Sequence, residues 1–267
     1  MPLYICTACG TQYPESAQPP AQCPICEEER QYVPPRGQTW TTLPALQQSH
    51  MNAFHEYDTG IIGIGAGFAI GQRAILVQTE GGNILWDCVA TLDPATVSLI
   101  KGLGGLKAIA ISHPHFYSSM VEWSQAFGDV PIYLHNGDAA WVSRPDPRVT
   151  FWAGQTYAIV EGLTLVRCGG HFDGSSVLHV AGSAERRGAL LTGDTVKVGW
   201  DRQSVSVMRS YPNLIPVGPT ALAHVEQVLA PLEFDDIHGA WTGHSIRGDA
   251  KAIVARSLAR YRQAIAE

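Results

Sequence analysis

The sequence predicts an α+β fold, with β-sheets at the centre and helices outside, preceded by a small segment folded on metal. Three observations carry this. Short apolar runs bounded by glycine or serine recur through the middle of the chain, the length of strands and too short for helices. Helical spacing appears between them and again near the C-terminus. Four of the six cysteines fall in the first 26 residues as two C-x-x-C pairs.

Taken in order, Cys6-x-x-Cys9 and Cys23-x-x-Cys26 come first, thirteen residues apart. Each pair makes a tight turn that aims two thiolates at one ion, and two such turns close a tetrahedron. Residues 1–35 are too few to fold on an apolar core, so metal binding has to supply the folding energy. Two local disulfides would not suit a reducing compartment. Through "YICTACG" and "CPIC" this segment resembles a zinc ribbon, and more loosely a rubredoxin. Rubredoxins have a longer insert between the pairs and usually a glycine after the last cysteine, where this chain has Glu27. Structural zinc is therefore expected over redox iron. "PPRGQTW" introduces an expected linker over residues 36–59.

The main domain is expected over residues 60–267. "RAILVQTEGGNILWDC" reads as a hairpin around Glu80-Gly81-Gly82-Asn83. Asp93-Pro94 caps and opens a helix through Ile100. "LKAIAIS" is a short buried strand. Ser119 and Glu122 have capping-box spacing for a helix ending near Gly128. "VPIYLH", "LTLVRC", "SVLHVA" and "GALLTG" are further strands. A helix carrying Leu222, Val225, Val228 and Leu229 precedes the strand "DDIHGAW". A basic amphipathic helix with Val254, Leu258, Tyr261 and Ile265 on its apolar face closes the chain. The glycines of "GIGAGFAIG" have nucleotide-loop spacing, but a strand follows and not a helix, so a glycine-rich edge strand or turn is expected.

Composition narrows the function classes. Apolar residues make up 45% and charged residues 16%, enough for a sizeable core. Net charge is −6, and the basic run Arg247, Lys251, Arg256, Arg260, Arg262 reads as the solvated face of the last helix, which weighs against nucleic acid. No apolar run is long enough to span a bilayer and the start does not read as a signal peptide, so a cytoplasmic protein is expected.

Chemistry gathers after the strands. "AIAISHPHFYSS" ends a strand and presents His113 and His115 at alternate positions, pointing the same way on an extended segment. "VRCGGHFDGSS" offers His171, and "ALLTGDT" offers Asp194. A lone histidine is most often an ordinary surface or core residue. Here the pattern of strand, Gly or Ser, then His or Asp occurs three times, and strand-end loops meeting at one sheet edge are a normal way to build a site. Three histidines and a carboxylate suit tetrahedral zinc, and contain the two-histidine-one-carboxylate set of mononuclear iron centres. Zinc or iron is expected, zinc first.

"SHPHFYSS", "GGHFDGS" and "LLTGDT", in this order, resemble the metallo-β-lactamase superfamily over about residues 60–267. The resemblance implies a four-layer αββα sandwich with metal at one edge, and Asp87 of "ILWDC" as the acid behind the ligands. It implies that His113, His115 and His171 hold a first ion and that Asp194 bridges to a second. Tyr117 and Ser118 stand where the family has the Asp and His of its second site, and Ala240 falls at the place of its last histidine. All three ligands exclusive to the second ion are thus replaced together, which points to a site redesigned for one metal. His238 and His244 flank Ala240, and a shift of register would let either act as an extra ligand, His244 the better placed.

The expected activity is that of a metallohydrolase acting on a small molecule through a metal-activated water, with Asp194 as ligand or base and Tyr117 as proton donor or, equally, as packing. The alternatives are a mononuclear non-haem iron oxygenase, since persulfide dioxygenases of the same superfamily use iron, and a non-catalytic binding module. The residues after Asp194, 196–219, read as a long loop with Trp200, Arg202, Met208, Arg209 and Tyr211, suited to a lid. Cys168 is expected as a buried structural thiol. The zinc ribbon is the expected surface for a protein partner or self-association.

Overall fold

Successive residues of a strand face opposite ways, and here the two faces go to different layers. In the strand Ala108–Ala110, Ala108 and Ala110 pack between two sheets while Ile109 packs beneath helices. This computed structural model describes residues 1–184 and 186–266.

The first sheet has seven strands. Across it run Val149–Trp152, Ile132–His135, Ala108–Ala110, Ile84–Trp86, Ala74–Val77, Ile61–Gly65 and Ala53–Asp58. The pairs from Ala53–Asp58 through Ile84–Trp86 are antiparallel and the remainder parallel. The second sheet has six: Thr156–Val160, Leu163–Arg167, Ser176–Val180, Ala189–Gly193, Asp236–Gly239 and Ser245–Arg247. It is antiparallel except where Ala189–Gly193 runs beside Asp236–Gly239. Ile75, Val77, Ile84 and Trp86 meet Leu163, Leu165, Leu178 and Leu191 in the central layer.

Helices Pro94–Gly102 and Met120–Ala126 cover the outer face of the first sheet through Ile100, Val121 and Trp123. Pro219–Leu229 and Ala250–Ala266 cover the second through Leu222, Val225, Val254 and Leu258. The result is a four-layer αββα sandwich, as the resemblance implies. Each fully buried aliphatic side chain in these layers contributes roughly 1.5–3 kcal/mol before chain entropy is counted. Among the described residues no helix is long and apolar enough to cross a membrane.

The N-terminal segment forms its own three-stranded antiparallel sheet, Gln12–Glu15, Leu3–Cys6 and Trp40–Thr42. Its third strand comes from residues read as linker. The helix Leu43–Gln47 and the edge strand Ala53–Asp58 also lie in the 36–59 stretch. "AFHEYD" hides its signal because an edge strand buries little, only Phe54 and Tyr57 packing against the core.

Three local expectations change. Asp93 caps its helix, accepting from Thr96 N at 2.9 Å, but Ser119 and Glu122 do not form a capping box. The Ser119 hydroxyl is buried and donates to Val89 O and Ala90 O, while Glu122 pairs with Arg144 at 2.8 Å. "GIGAGFAIG" starts as Ile61–Gly65, an interior strand and not an edge, and then turns. The 196–219 loop is stiffened by two short antiparallel pairs, Lys197–Val198 with Val205–Ser206 and Met208–Ser210 with Ile215–Pro216.

Candidate metal centre

The main site is assembled from strand ends. After Ala108–Ala110 the chain is held by Ser112 N donating to Asp87 Oδ1 at 2.7 Å. His113 follows in extended backbone, and a 3₁₀ turn, Pro114–Phe116, brings His115 round. The two histidines therefore converge through a turn, and not by alternation along an extended segment. His171 lies on the loop after Leu163–Arg167, and Asp194 directly after Ala189–Gly193. Glycine is required at two of these corners. Gly193 has φ +55°, and a Cβ there would stand 2.6 Å from Ser112 Oγ. A Cβ on Gly174 would stand 2.8 Å from Asp138 Cγ.

The structure brings His113, His115, His171 and Asp194 together, all buried, with their ligand atoms within 4.8 Å of one another. His113 Nε2 and Asp194 Oδ1 are 2.8 Å apart, and His171 Nε2 lies 3.7 Å from the same oxygen. His171 Nε2 and His115 Nδ1 are 3.2 Å apart. Four donors around a tetrahedral zinc at 2.0–2.1 Å stand roughly 3.3 Å from each other. The outer nitrogens are anchored: His113 Nδ1 meets Ser112 Oγ at 2.9 Å, and His171 Nδ1 donates to Met208 O at 3.0 Å. That fixes both rings with Nε2 as the free donor atom. Despite their proximity, His113 Nε2 and Asp194 Oδ1 lack hydrogen-bond alignment and are sealed from solvent. Buried polar atoms converging without partners are what a cation site requires, and the donor set fits zinc or iron.

Electrostatics agree. Burial pushes the His115 and His171 imidazoles down, His171 to about 4, so both stay neutral and able to ligate. Burial alone would raise Asp194; positive charge on His113, His171 and His115 would lower its carboxyl far below the usual range, a pull that neutral, ligating imidazoles do not exert. Asp87 is pushed up by burial to about 7, the Ser112 amide pulling the other way.

His115, His171 and Asp194 open onto a cleft of about 220 Å³. Ile70, Trp241, Lys197, Tyr211 and Pro212 form part of its wall. Lys197 Nζ sits 4.7 Å over the Tyr211 ring and 4.6 Å over that of Trp241. The 196–219 stretch thus does line the site, as a lid-like loop is expected to.

Other predicted residues fall elsewhere. Tyr117 does not line the cleft. It is 3% exposed, lies in the same apolar cluster as Ala240, and its hydroxyl donates weakly to Asp138 O at 3.4 Å. Ser118 Oγ accepts from Gln72 Nε2 at 3.2 Å. His238 and His244 stay outside the four-residue cluster. His238 is paired with Ser245 Oγ at 2.9 Å and faces Tyr57, and its pKa is pushed down to about 3, first by burial and then by Arg73. His244 meets Val198 O at 3.0 Å and lies against Trp200. Cys168 is buried in the second core, its thiol pushed up to about 12. Sequence reasoning missed Asp138, whose Oδ1 accepts from Gly174 N at 2.7 Å and braces the His171 loop. It also missed Arg30, Gln31 and Tyr32, which come from the end of the N-terminal segment to line the cleft.

The four cysteines form a second buried group. Cys6 Sγ is 3.7 Å from Cys26 Sγ, and Cys9 Sγ 3.5 Å from Cys23 Sγ. Four sulfurs around a tetrahedral zinc at 2.3 Å would be roughly 3.8 Å apart. Tyr13 OH and Gln38 Nε2 donate to Cys23 and Cys6 sulfurs at 3.1 and 3.3 Å, as they would to thiolates. The segment docks beside the main site: Gln12 N donates to Ser118 O at 3.1 Å, and Trp141 packs between the cysteine cluster and Phe172.

Fold and site together define a protein of the metallo-β-lactamase fold carrying an N-terminal four-cysteine cluster. Solved structures with this fold include the DIM-1 metallo-β-lactamase, 14% identical with TM-score 0.59, covering 80% of this chain and 98% of that one. The FIM-1 metallo-β-lactamase of Pseudomonas aeruginosa in its mono-zinc form is 14% identical, TM-score 0.56, covering 79% and 96%. TTHA1623 in a di-iron-bound form is 22% identical, TM-score 0.50, covering 70% and 93%. No protein-family model matches the sequence. The chain belongs to the family of the uncharacterized protein YmaE of Bacillus subtilis (strain 168), to which it is 44% identical over 269 residues, 99% of this chain and 97% of that protein.

Proposed function

We propose that this protein is a metal-dependent hydrolase of a small molecule, working with one ion held by His113, His115, His171 and Asp194. The observation that carries the reading is the convergence of buried, unpartnered His113 Nε2 and Asp194 Oδ1 beside His115 and His171, at a cleft of about 220 Å³. An ion there, zinc by preference, supplies Lewis acidity and makes water nucleophilic at neutral pH. The chain's own residues do the rest. Asp194 is the carboxylate within reach of the reacting centre; it would serve as base on leaving the ion, which would also open the fourth position to water. Trp241, Ile70 and Tyr211 narrow the cleft and limit water. The single-ion reading rests on Tyr117 and Ala240, apolar-packed where the resemblance places second-site ligands. The cysteine cluster is proposed to hold structural zinc, since its thiols are inside the small segment and do not line the cleft.

An iron-dependent redox role is the second reading, favoured by the histidine–carboxylate set and by the di-iron form of TTHA1623. One experiment separates the two. The protein is stripped, reloaded with zinc or iron, and assayed against thioesters, lactones and phosphodiesters, with oxygen uptake followed in parallel. Zinc-dependent turnover that falls at least about 100-fold in D194A supports the hydrolase. Oxygen uptake by the iron form alone replaces it with the redox reading, and metal binding without either activity leaves a binding module.

A further inference from the structure

The chemistry above uses nothing from residues 28–32, yet Arg30 lines the same cleft as His115, His171 and Asp194. It follows the last cysteine, Cys26, by four residues, so the metal-folded segment positions it. The stretch is pinned from the other side as well. Asn213 Nδ2 donates to Glu29 O and Gln31 O at 2.8 and 2.9 Å, and Arg209 pairs with Glu29 at 2.6 Å.

The guanidinium lies 4.1 Å over the Phe172 ring and 5.8 Å from that of Trp141. Stacking accounts for its place but not for its nitrogens. Arg30 is only 8% exposed, and its Nε and Nη1 are buried without a hydrogen-bond partner. Glu28 Oε1 is 3.4 Å from Nη1 but out of line. A guanidinium offers five donors in a planar fork, and burying it with donors unmet is costly unless an acceptor arrives. The cleft wall has two cations, Arg30 and Lys197, and one carboxylate, Asp194, already surrounded by three histidines. Nothing else charged lines it among the described residues.

We infer that Arg30 is the anchor for an oxyanion, a carboxylate or a phosphate, borne by the molecule that occupies the metal cleft. The four-cysteine segment is then a specificity element of the cleft and not only an appendage. The substrate class is a small anionic molecule whose charged group lies on the Arg30 side of the scissile bond. This part rests on the hydrolase reading of the main site.

The test uses the full-length, zinc-loaded protein and two thiols, 3-mercaptopropionate and the uncharged 3-mercaptopropionamide, titrated by calorimetry. Both offer the same sulfur to the ion and differ in the carboxylate. Wild type should bind the carboxylate about 10-fold more tightly or better. R30M should lose that preference and bind the amide as before, and R30K should keep part of it. An equal preference in wild type and folded R30M overturns the inference and leaves the metal reading standing. Binding of neither thiol sinks the metal reading. In that case, or if R30M does not fold, the Arg30 Nε–H resonance, assigned by its loss in R30K, is titrated with acetate and with methyl phosphate. A saturable shift supports the anchor and tells carboxylate from phosphate. No shift with either overturns it.

Discussion

His113 Nε2 and Asp194 Oδ1 stand 2.8 Å apart in the interior, sealed from water, and are not aligned to bond each other. Two such atoms without a mediator would leave a buried acceptor and a buried ring nitrogen unsatisfied. A cation between them and the other two histidines resolves both. D194A should therefore lose about one ion per chain by elemental analysis and keep the ion of the cysteine cluster. An unchanged metal content would remove Asp194 from the ligand set.

Asp87 acts on the same site from behind. Its Oδ1 takes the Ser112 amide, and Ser112 Oγ in turn meets His113 Nδ1. D87A strips the acceptor from a buried N–H and frees the residue that orients the His113 ring. The expected cost is about 1–3 kcal/mol in denaturant unfolding of the metal-free protein. Affinity for zinc at the main site should drop about 10- to 100-fold in chelator competition. Loss of stability without loss of affinity would confine Asp87 to a structural role.

The parts of this site that were legible in the sequence share one property: their signals are local. His113, His115, His171 and Asp194 each follow an apolar strand and a small residue, and the two C-x-x-C pairs carry their geometry in their spacing. Arg30 and Asp138 carry no such mark. Arg30 has meaning only against Phe172 and beside Asn213, which bonds Gln31 across 182 residues of sequence. Ser119 shows the opposite error, a valid local capping signal overruled because Val89 and Ala90 offer buried carbonyls from a distant loop. The strand Ala53–Asp58 was hidden because it sits at a sheet edge and buries too little to impose alternation.

The cysteine cluster should be a separate unit of stability that nonetheless reaches the cleft. C23S/C26S removes two of four ligands from a segment whose folding depends on its ion. Hydrogen exchange should quicken across residues 3–32, including Gln31 and Tyr32 at the cleft. Protection in Ala74–Val77 and Ala108–Ala110 should be unchanged. Faster exchange throughout the chain would show that the two parts unfold as one.

Asp93 sets a testable pH dependence. Burial would raise its carboxyl, but hydrogen bonds from Thr96 Oγ, Asn52 N and Thr96 N pull it below its ordinary value. A carboxyl depressed in the folded state adds stability above its unfolded value, near pH 4, and loses it as pH falls through the folded value. D93A should cost about 1 kcal/mol at pH 7 through the lost cap. D93N still caps, so its deficit should be smaller, and in urea unfolding it should be less at about pH 3 than at pH 7. A D93N deficit that is the same at both pH values would mean the carboxylate charge contributes nothing.

Tyr117 separates packing from chemistry. Its ring is buried with Val89, Met120 and Trp123 in the first core, while its hydroxyl makes one long bond to Asp138 O. A residue that donates protons in the reaction should lose turnover when the hydroxyl is removed, even if folding is intact. A packing residue should tolerate Y117F and fail on truncation. The geometry places Tyr117 in the second group. Y117F should keep activity and melting temperature close to wild type, within about 1 kcal/mol for the lost bond. Y117A should destabilise by about 3–5 kcal/mol through the cavity it leaves. A Y117F variant that melts normally yet loses activity 100-fold or about that would return the phenol to the reaction.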